Sequence, residues 1–231
     1  MLLFLDTADI AEIKRFSFLI HGVTTTPTII KRSGLSTEDF MQKVRKSFPD
    51  LEIHVEALER DAAATEKLIT EFTKKKWYEA DKIVFKVPIS EEGLKATSNI
   101  RKSSPSVRIN LHMAFSPAQA SLAMLVQPAY IAPLIGRYAD KVAELTTHGN
   151  RAMGSDAGHD MLKSIIQCKV AMKSNTVMLA SSIRTVHDFA LASMLGSDAA
   201  TLPPRVLQEA LQHSMTEEGV NVFWNDLAQE S

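Results

Sequence analysis

One lysine, Lys86, stands inside the apolar run Ile83-Val84-Phe85-Lys86-Val87-Pro88, and two carboxylates, Asp6 and Glu56, sit near the ends of apolar runs of their own. Removing an ammonium from water inside a strand is costly unless the group is paired or gives up its proton. A lysine amine that sheds its proton attacks carbonyl carbon, so the chemistry this residue suggests is Schiff-base formation, with the carboxylates moving protons. Each residue has a simpler account on its own. Lys86 snorkels from a strand end, Asp6 caps the following helix, or Glu56 ends an exposed strand. Three ionisable groups gathered at one end of one sheet have no such account, because desolvated charges tolerate one another only as a paired or working cluster.

The elements that must position these residues alternate along the chain. Short apolar or β-branched runs occur at Leu2–Asp6, Gly22–Thr26, Glu52–Leu58, Lys82–Pro88, Val107–Met113, Pro128–Pro133, Thr176–Ser182 and Ala199–Pro203. Between most of them lie helical patterns. Asp9–Leu19 places Ile10, Ile13 and Phe16 on one face, and Ser36 with Asp39 reads as a cap. Arg60–Trp77 carries Ala64, Leu68 and Phe72 on one side and Lys74, Lys75 and Lys76 in its expected last turn, while Thr185–Leu195 stops at Gly196. Strand and helix alternating along the chain imply a parallel sheet buried on both faces, and eight strands in this length fit a single (β/α)8 TIM barrel. No GxGxxG or GxxxxGK is present, which removes the dinucleotide and P-loop readings. The barrel is expected over 1–215, with a C-terminal helix over 216–231. Gly149–Gly158 reads as a loop at the barrel mouth.

Strand parity then sorts the polar residues. In Val107–Met113 the odd positions Val107, Ile109, Leu111 and Met113 are apolar and suit the face under the helices, which turns Arg108, Asn110 and His112 into the barrel. The same assignment puts Lys86 inward with Val84 and Pro88, and pairs His54 with Glu56, Phe4 with Asp6, and Thr24 with Thr26 on shared faces. Asp6, Glu56 and Lys86 fall towards the carboxyl ends of their strands, the end at which barrel enzymes place their sites.

Composition narrows the partners. A net charge of -1 and no basic stripe argue against nucleic acid and anionic membrane. The single cysteine, Cys168, excludes an intramolecular disulfide and a cysteine-rich metal site. The seven histidines show no HExxH spacing, and His148 and His159 flank the glycine-rich stretch, so no metal is expected. No apolar run nears the roughly 20 residues of a membrane helix, and the amino terminus lacks a basic leader region. The expectation is a cytoplasmic protein.

An ordered set of segments resembles the transaldolase family, specifically its short members, which include fructose-6-phosphate aldolase. They are Leu5-Asp6-Thr7-Ala8, Gly22-Val23-Thr24-Thr25-Thr26-Pro27-Thr28-Ile29-Ile30, Val84-Phe85-Lys86-Val87-Pro88, Phe115-Ser116-Pro117-Ala118-Gln119-Ala120, Tyr130-Ile131-Ala132-Pro133 with Gly136-Arg137, and Ala180-Ser181-Ser182-Ile183-Arg184. The resemblance implies that Lys86 forms the Schiff base with a ketose carbonyl. Asp6 would take the C4 hydroxyl proton, and Glu56 would move protons during carbinolamine formation and dehydration. Asn110 would hold substrate hydroxyls, beside Thr24, Thr26 and His112, while Arg137, Ser182 and Arg184 would bind the sugar phosphate. No cofactor is implied, and the short members suggest a homo-oligomer, a pentamer or decamer, with the terminal helix on a neighbouring subunit. That helix could instead close its own barrel.

This chain departs from the family pattern at Thr26, where an asparagine is usual, and at His112, where a threonine is usual. Two further positions separate the candidate activities. The aldolase members carry glutamine at the place of Glu56 and tyrosine at the place of Leu134, so the reading that ranks first is transaldolase. Fructose-6-phosphate aldolase releasing free dihydroxyacetone ranks second. A catalytically impaired phosphosugar-binding homologue, suggested by Thr26 and His112, is the third.

Overall fold

Each of the eight apolar runs becomes a strand, and each strand hydrogen-bonds in parallel to the next in chain order. The computed structural model describes residues 1–146 and 151–229, with backbone alone for 151–155 and 229. The elements follow as β1 (Leu2–Asp6), α1 (Ile10–Phe16), β2 (Gly22–Thr24), α2 (Pro27–Arg32), α3 (Thr37–Ser47), β3 (Glu52–Glu56), α4 (Ala62–Phe72), β4 (Ile83–Pro88) and α5 (Glu91–Ser103). They continue as β5 (Arg108–Ala114), α6 (Pro117–Leu125), β6 (Tyr130–Pro133), α7 (Ile135–Thr146), α8 (Arg151–Ala171), β7 (Val177–Ala180), α9 (Val186–Met194), β8 (Ala199–Leu202), α10 (Pro204–Ala210) and α11 (Ser214–Gln229). β8 closes on β1 through pairs running from Leu2↔Ala199 to Leu5↔Leu202, so the sheet has no free edge.

Local chemistry explains where the helices begin. Asp9, Ser36, Asp61, Ser90, Ser116 and Thr185 each accept a backbone N–H of the first turn with a side-chain oxygen. Gly196, at φ +85, takes the left-handed conformation just after α9.

Parity divides the core in two. Leu5, Val23, Ile53, Phe85, Ile109, Leu111 and Ile131 pack outward under the helices, while Phe4, Val84, Tyr130, Leu179 and Ala199 fill the barrel interior. The exception is Met113. A register shift between His112 and Ala114 puts Ala114 in the outer core and leaves Met113 at φ +61 on the rim of the central cavity. The expected outward position of Met113 is therefore corrected by a bulge that alternation alone does not encode.

Two other expectations change. The lysines 74–76 do not form the last turn of α4, which ends at Phe72 with Thr73 as its cap. The chain turns there so that Trp77 is buried with its ring centroid 5.6 Å from that of Phe72. The expected loop over Gly149–Gly158 is helical from Arg151 onward, while Gly149 and Asn150, like His148 before them, lie outside the described residues. Gly158 serves close packing, since a Cβ there would stand 2.5 Å from the Ile135 carbonyl oxygen in α7. Of the two placements open to the terminal helix, closing its own barrel does not fit α11, whose Phe223 and Trp224 are 69% and 66% exposed.

Gly22 lets β2 approach β3, because a Cβ would lie 2.2 Å from the Glu52 carbonyl oxygen and 2.9 Å from the Phe4 ring. Gly22→Ala should cost about 1–3 kcal/mol, the usual range of overpacking. Urea unfolding followed by far-UV circular dichroism checks this.

Candidate active site

The carboxyl ends of the strands surround a cavity of about 590 Å³. Asp6, Thr24, Thr26, Glu56, Lys86, Asn110, His112, Arg137, Ser182 and Arg184 all line it. Every residue expected at the site is thus brought to one place, by different strands and loops that the sequence separates by up to 178 positions, from Asp6 to Arg184.

Lys86 is 7% exposed, and its Nζ donates to the Thr25 carbonyl oxygen at 2.6 Å. Glu56 Oε2 lies 3.2 Å from the same nitrogen. The desolvation cost of the ammonium is thereby offset by one ion pair and one backbone acceptor. Pairing register dictates the contact, since Glu56 of β3 stands directly opposite Lys86 of β4, and Lys86 opposite Asn110 of β5. The second Glu56 oxygen, Oε1, is 2.7 Å from His112 Nε2, without the alignment of a made hydrogen bond. Burial works to raise the Glu56 carboxyl, but His112 and the Lys86 charge outweigh it and hold the group below the usual carboxylate range. Burial pushes the His112 imidazole down, so Glu56 is the anion and His112 the neutral partner.

Asp6 accepts a 2.8 Å hydrogen bond from Thr24 Oγ1, and Thr24 in turn lies 2.7 Å from Thr201 Oγ1. Because Thr24 spends its proton on Asp6, the Thr201 hydroxyl must be the donor between the two threonines. Asp6 is half-buried in the cavity wall. Burial therefore pushes it above the usual range, against the opposing Thr24 hydrogen bond and the charges of Lys86 and Arg184. The site holds two carboxylates with oppositely shifted proton affinities beside an amine, the arrangement that separates acid from base roles.

The rim carries the cations. Gly136 begins this corner, since a Cβ there would be 2.1 Å from the Ser182 carbonyl oxygen. That closeness lets the Arg137 backbone N–H donate to Ser182 Oγ at 3.1 Å, with Ser182 at φ +61. Arg184 is anchored through its backbone N–H to Asp188 and reaches Asp140 at 3.5 Å. Two guanidinium groups and a hydroxyl at one corner suit a phosphate or carboxylate.

Thr26 is on the cavity wall, but β2 ends at Thr24, and the Thr26 hydroxyl accepts from Ile29 N–H as the cap of α2. Thr201 was absent from the sequence-based set. It is the polar member of the run Ala199–Leu202, and its inward parity was a usable signal. Arg32 also reaches the cavity, from a helix end that strand parity does not address. Three polar atoms in this wall, Glu56 Oε1, Asn110 Oδ1 and His112 Nε2, are buried without a hydrogen-bond partner. Orphaned atoms in a cavity wall are costly unless a ligand meets them.

A closed parallel barrel with an amine, two carboxylates and an anion corner at its carboxyl-terminal mouth defines a (β/α)8-barrel enzyme. The chain belongs to the transaldolase/fructose-6-phosphate aldolase family, whose model matches residues 3–230. It is 34% identical to a probable transaldolase of Phenylobacterium zucineum, covering 99% of this chain and 97% of that protein. To a probable transaldolase of Sulfurihydrogenibium sp. it is 32% identical over 98% of this chain and 96% of the relative. The crystal structure of a 3-hexulose-6-phosphate synthase superposes with a TM-score of 0.59 at 11% identity, covering 91% of this chain and 98% of that one, a likeness of fold alone.

Asp6→Asn removes a charge that the fold holds at a cost. Because the folded-state value is raised, the native protein binds that proton more tightly than the unfolded chain does. Stability from this group is greatest in acid and falls as pH rises from the ordinary carboxylate value through the raised one. The Asn variant should therefore melt a few degrees higher at neutral pH, and the difference should vanish in acid, as read by differential scanning calorimetry. Its turnover should fall by about 10²–10³-fold if the carboxylate moves a proton.

Proposed function

We propose that this enzyme is a transaldolase working through an imine on Lys86. The observation that carries the reading is the Lys86 amine held between the Glu56 carboxylate and the Thr25 carbonyl in a cavity that Asp6 also lines. Glu56 takes a proton from the Lys86 ammonium, the freed Nζ attacks the carbonyl carbon of a ketose phosphate, and Glu56 with His112 returns the protons that expel the carbonyl oxygen as water and leave a protonated imine. Asp6 takes the C4 hydroxyl proton, the C3–C4 bond breaks, and its electron pair flows into the iminium to leave an enamine of dihydroxyacetone. The aldose phosphate departs, a second aldose phosphate enters, and the steps reverse to form the new carbon–carbon bond. The electron sink is the protonated imine itself.

Asn110 meets the hydroxyls near the imine, and Arg137, Ser182 and Arg184 hold the phosphate. Sedoheptulose 7-phosphate or fructose 6-phosphate fits this division as donor, placing the reaction in the non-oxidative pentose phosphate pathway. Two residues support transfer over release of free dihydroxyacetone. Position 56 is a glutamate in contact with the amine, and position 134, on the cavity wall, is leucine and brings no phenol. Phosphorylated sugars do not cross a bilayer unaided, which suits a cytoplasmic enzyme. Borohydride added with fructose 6-phosphate should fix a stable adduct on Lys86, read by peptide mass spectrometry. An unmodified Lys86 in folded protein would leave a phosphosugar-binding homologue as the better account. Free dihydroxyacetone formed without acceptor as fast as transfer would favour the aldolase.

The assembly reading rests on α11. Val220, Phe223 and Trp224 form an exposed i, i+3, i+4 stripe on a helix that leaves the barrel wall uncovered. Burying that stripe on a second copy gives a homo-oligomer, a pentamer or decamer by resemblance to the short members. Trp224→Asp should lower the mass measured by light scattering while leaving the barrel's circular dichroism intact.

A further inference from the structure

Beneath the site lies a buried polar chain whose lower members, Arg108, Glu52 and His54, the steps above do not use. Successive inward positions of β3 and β5 meet in pairs across β4. Arg108 bonds Glu52 at the floor, His54 bonds Asn110 in the middle, and Glu56 meets His112 at the mouth. The lower two rungs are joined, because His54 Nε2 is 2.7 Å from Glu52 Oε1. His54 and Asn110 are both fully buried.

The order of donors along this chain has one solution. Glu52 is acceptor-only as a carboxylate. Burial works to raise it, but the His54 hydrogen bond and the charges around it, Arg108 included, hold it below its ordinary range. His54 Nε2 must therefore carry the proton. Burial pushes the His54 imidazole down, against the pull of Glu52, so the ring is neutral and Nδ1 is a bare acceptor. Asn110 can satisfy that acceptor only with its NH2, and Asn110 Nδ2 does lie 3.0 Å from His54 Nδ1. The amide oxygen then lies on the side of the amide away from His54, buried without a hydrogen-bond partner, in a residue that lines the cavity. The edges of Phe4 and Tyr130, with centroids 4.9 and 4.7 Å from the imidazole, leave His54 little freedom to turn.

We propose that Glu52 and His54 are positioning residues that lock the Asn110 amide with its oxygen towards the substrate, so that this position accepts a hydrogen bond from a sugar hydroxyl. The proposal rests on the enzymatic reading above for its consequence, though not for its geometry. An amide free to turn would present NH2 to the hydroxyl part of the time and lose the preference for a donor. An amide with one face fixed is set before substrate arrives.

The tautomer is read directly in the unaltered protein, by ¹⁵N–¹H correlation of the imidazole nitrogens, with His54 assigned by its response to Asn110→Ala. The neutral Nε2–H form at neutral pH is expected. The Nδ1–H form or an imidazolium would overturn the proposal. His54→Phe, which fits between the same rings, should lower kcat/KM by about tenfold, the worth of one hydrogen bond. His54→Gln, which can accept from Asn110 and donate to Glu52, should recover most of that loss. In an Asn110→Ala background His54→Phe should cost less than about twofold more, and full additivity would show that His54 acts by some other route. Adduct formation on Lys86 tests the imine chemistry separately. Its absence would sink that reading while the tautomer still decides the lock.

Discussion

A lysine amine taken out of water must be answered by other groups, and much of this barrel's mouth is arranged around that requirement. Lys86 meets the Thr25 carbonyl and the Glu56 carboxylate, and Glu56 in turn meets His112. Each partner comes from a different strand or strand end, so the cluster exists only while the barrel is closed. The low exposure that makes the charge expensive also makes its partners effective, because the same poorly solvated surroundings strengthen every contact. Stability and chemistry here draw on one set of atoms, and functional sites commonly carry that tension.

The interior is layered by the pleat. Glu52, His54 and Glu56 occupy alternate positions of β3, and Arg108, Asn110 and His112 do the same on β5. With β4 between them, these residues meet in three rungs, from an ion pair at the floor to the acid–base pair at the mouth. Alternate strands contributing to a common layer is the packing rule of such barrels, here executed with polar residues in place of the usual branched aliphatics. Phe4, Val84 and Tyr130 seal the layer around His54. The floor and middle rungs are hydrogen-bonded, which makes a polar barrel interior tolerable, while Glu56 Oε1, His112 Nε2 and Asn110 Oδ1 keep no hydrogen-bond partner.

Much of the fold was legible because its signals are local. Strand runs differ from the observed strands by one or two residues at an end, and Ser36, Thr185 and Gly196 marked helix boundaries through capping chemistry. The misplacements came where tertiary contacts override local pattern. Lys74, Lys75 and Lys76 lost their helical turn to the burial of Trp77. Gly158, one of several glycines that looked like a loop, belongs to a helix that crowds α7. Met113 was displaced by a bulge whose cause lies in the pairing of β5 with β6.

The amino-acid sequence by itself determined the parallel barrel and the inward side of most strands, because periods of two and of 3.6 residues are written into the order of apolar and polar residues. It also named the ionisable groups at the strand ends, since a lone lysine or acid in an apolar run is visible without coordinates. Only the tertiary structure decided who touches whom. That Glu56 faces Lys86 follows from strand register, that Thr201 supports Thr24 follows from the closure of β8 on β1, and that Asn110 turns its NH2 to His54 follows from the meeting of β3 and β5 across β4. Those facts depend on distances between residues far apart in the chain, and hydrogen bonds form or fail over less than an ångström, a scale that no spacing along a sequence specifies.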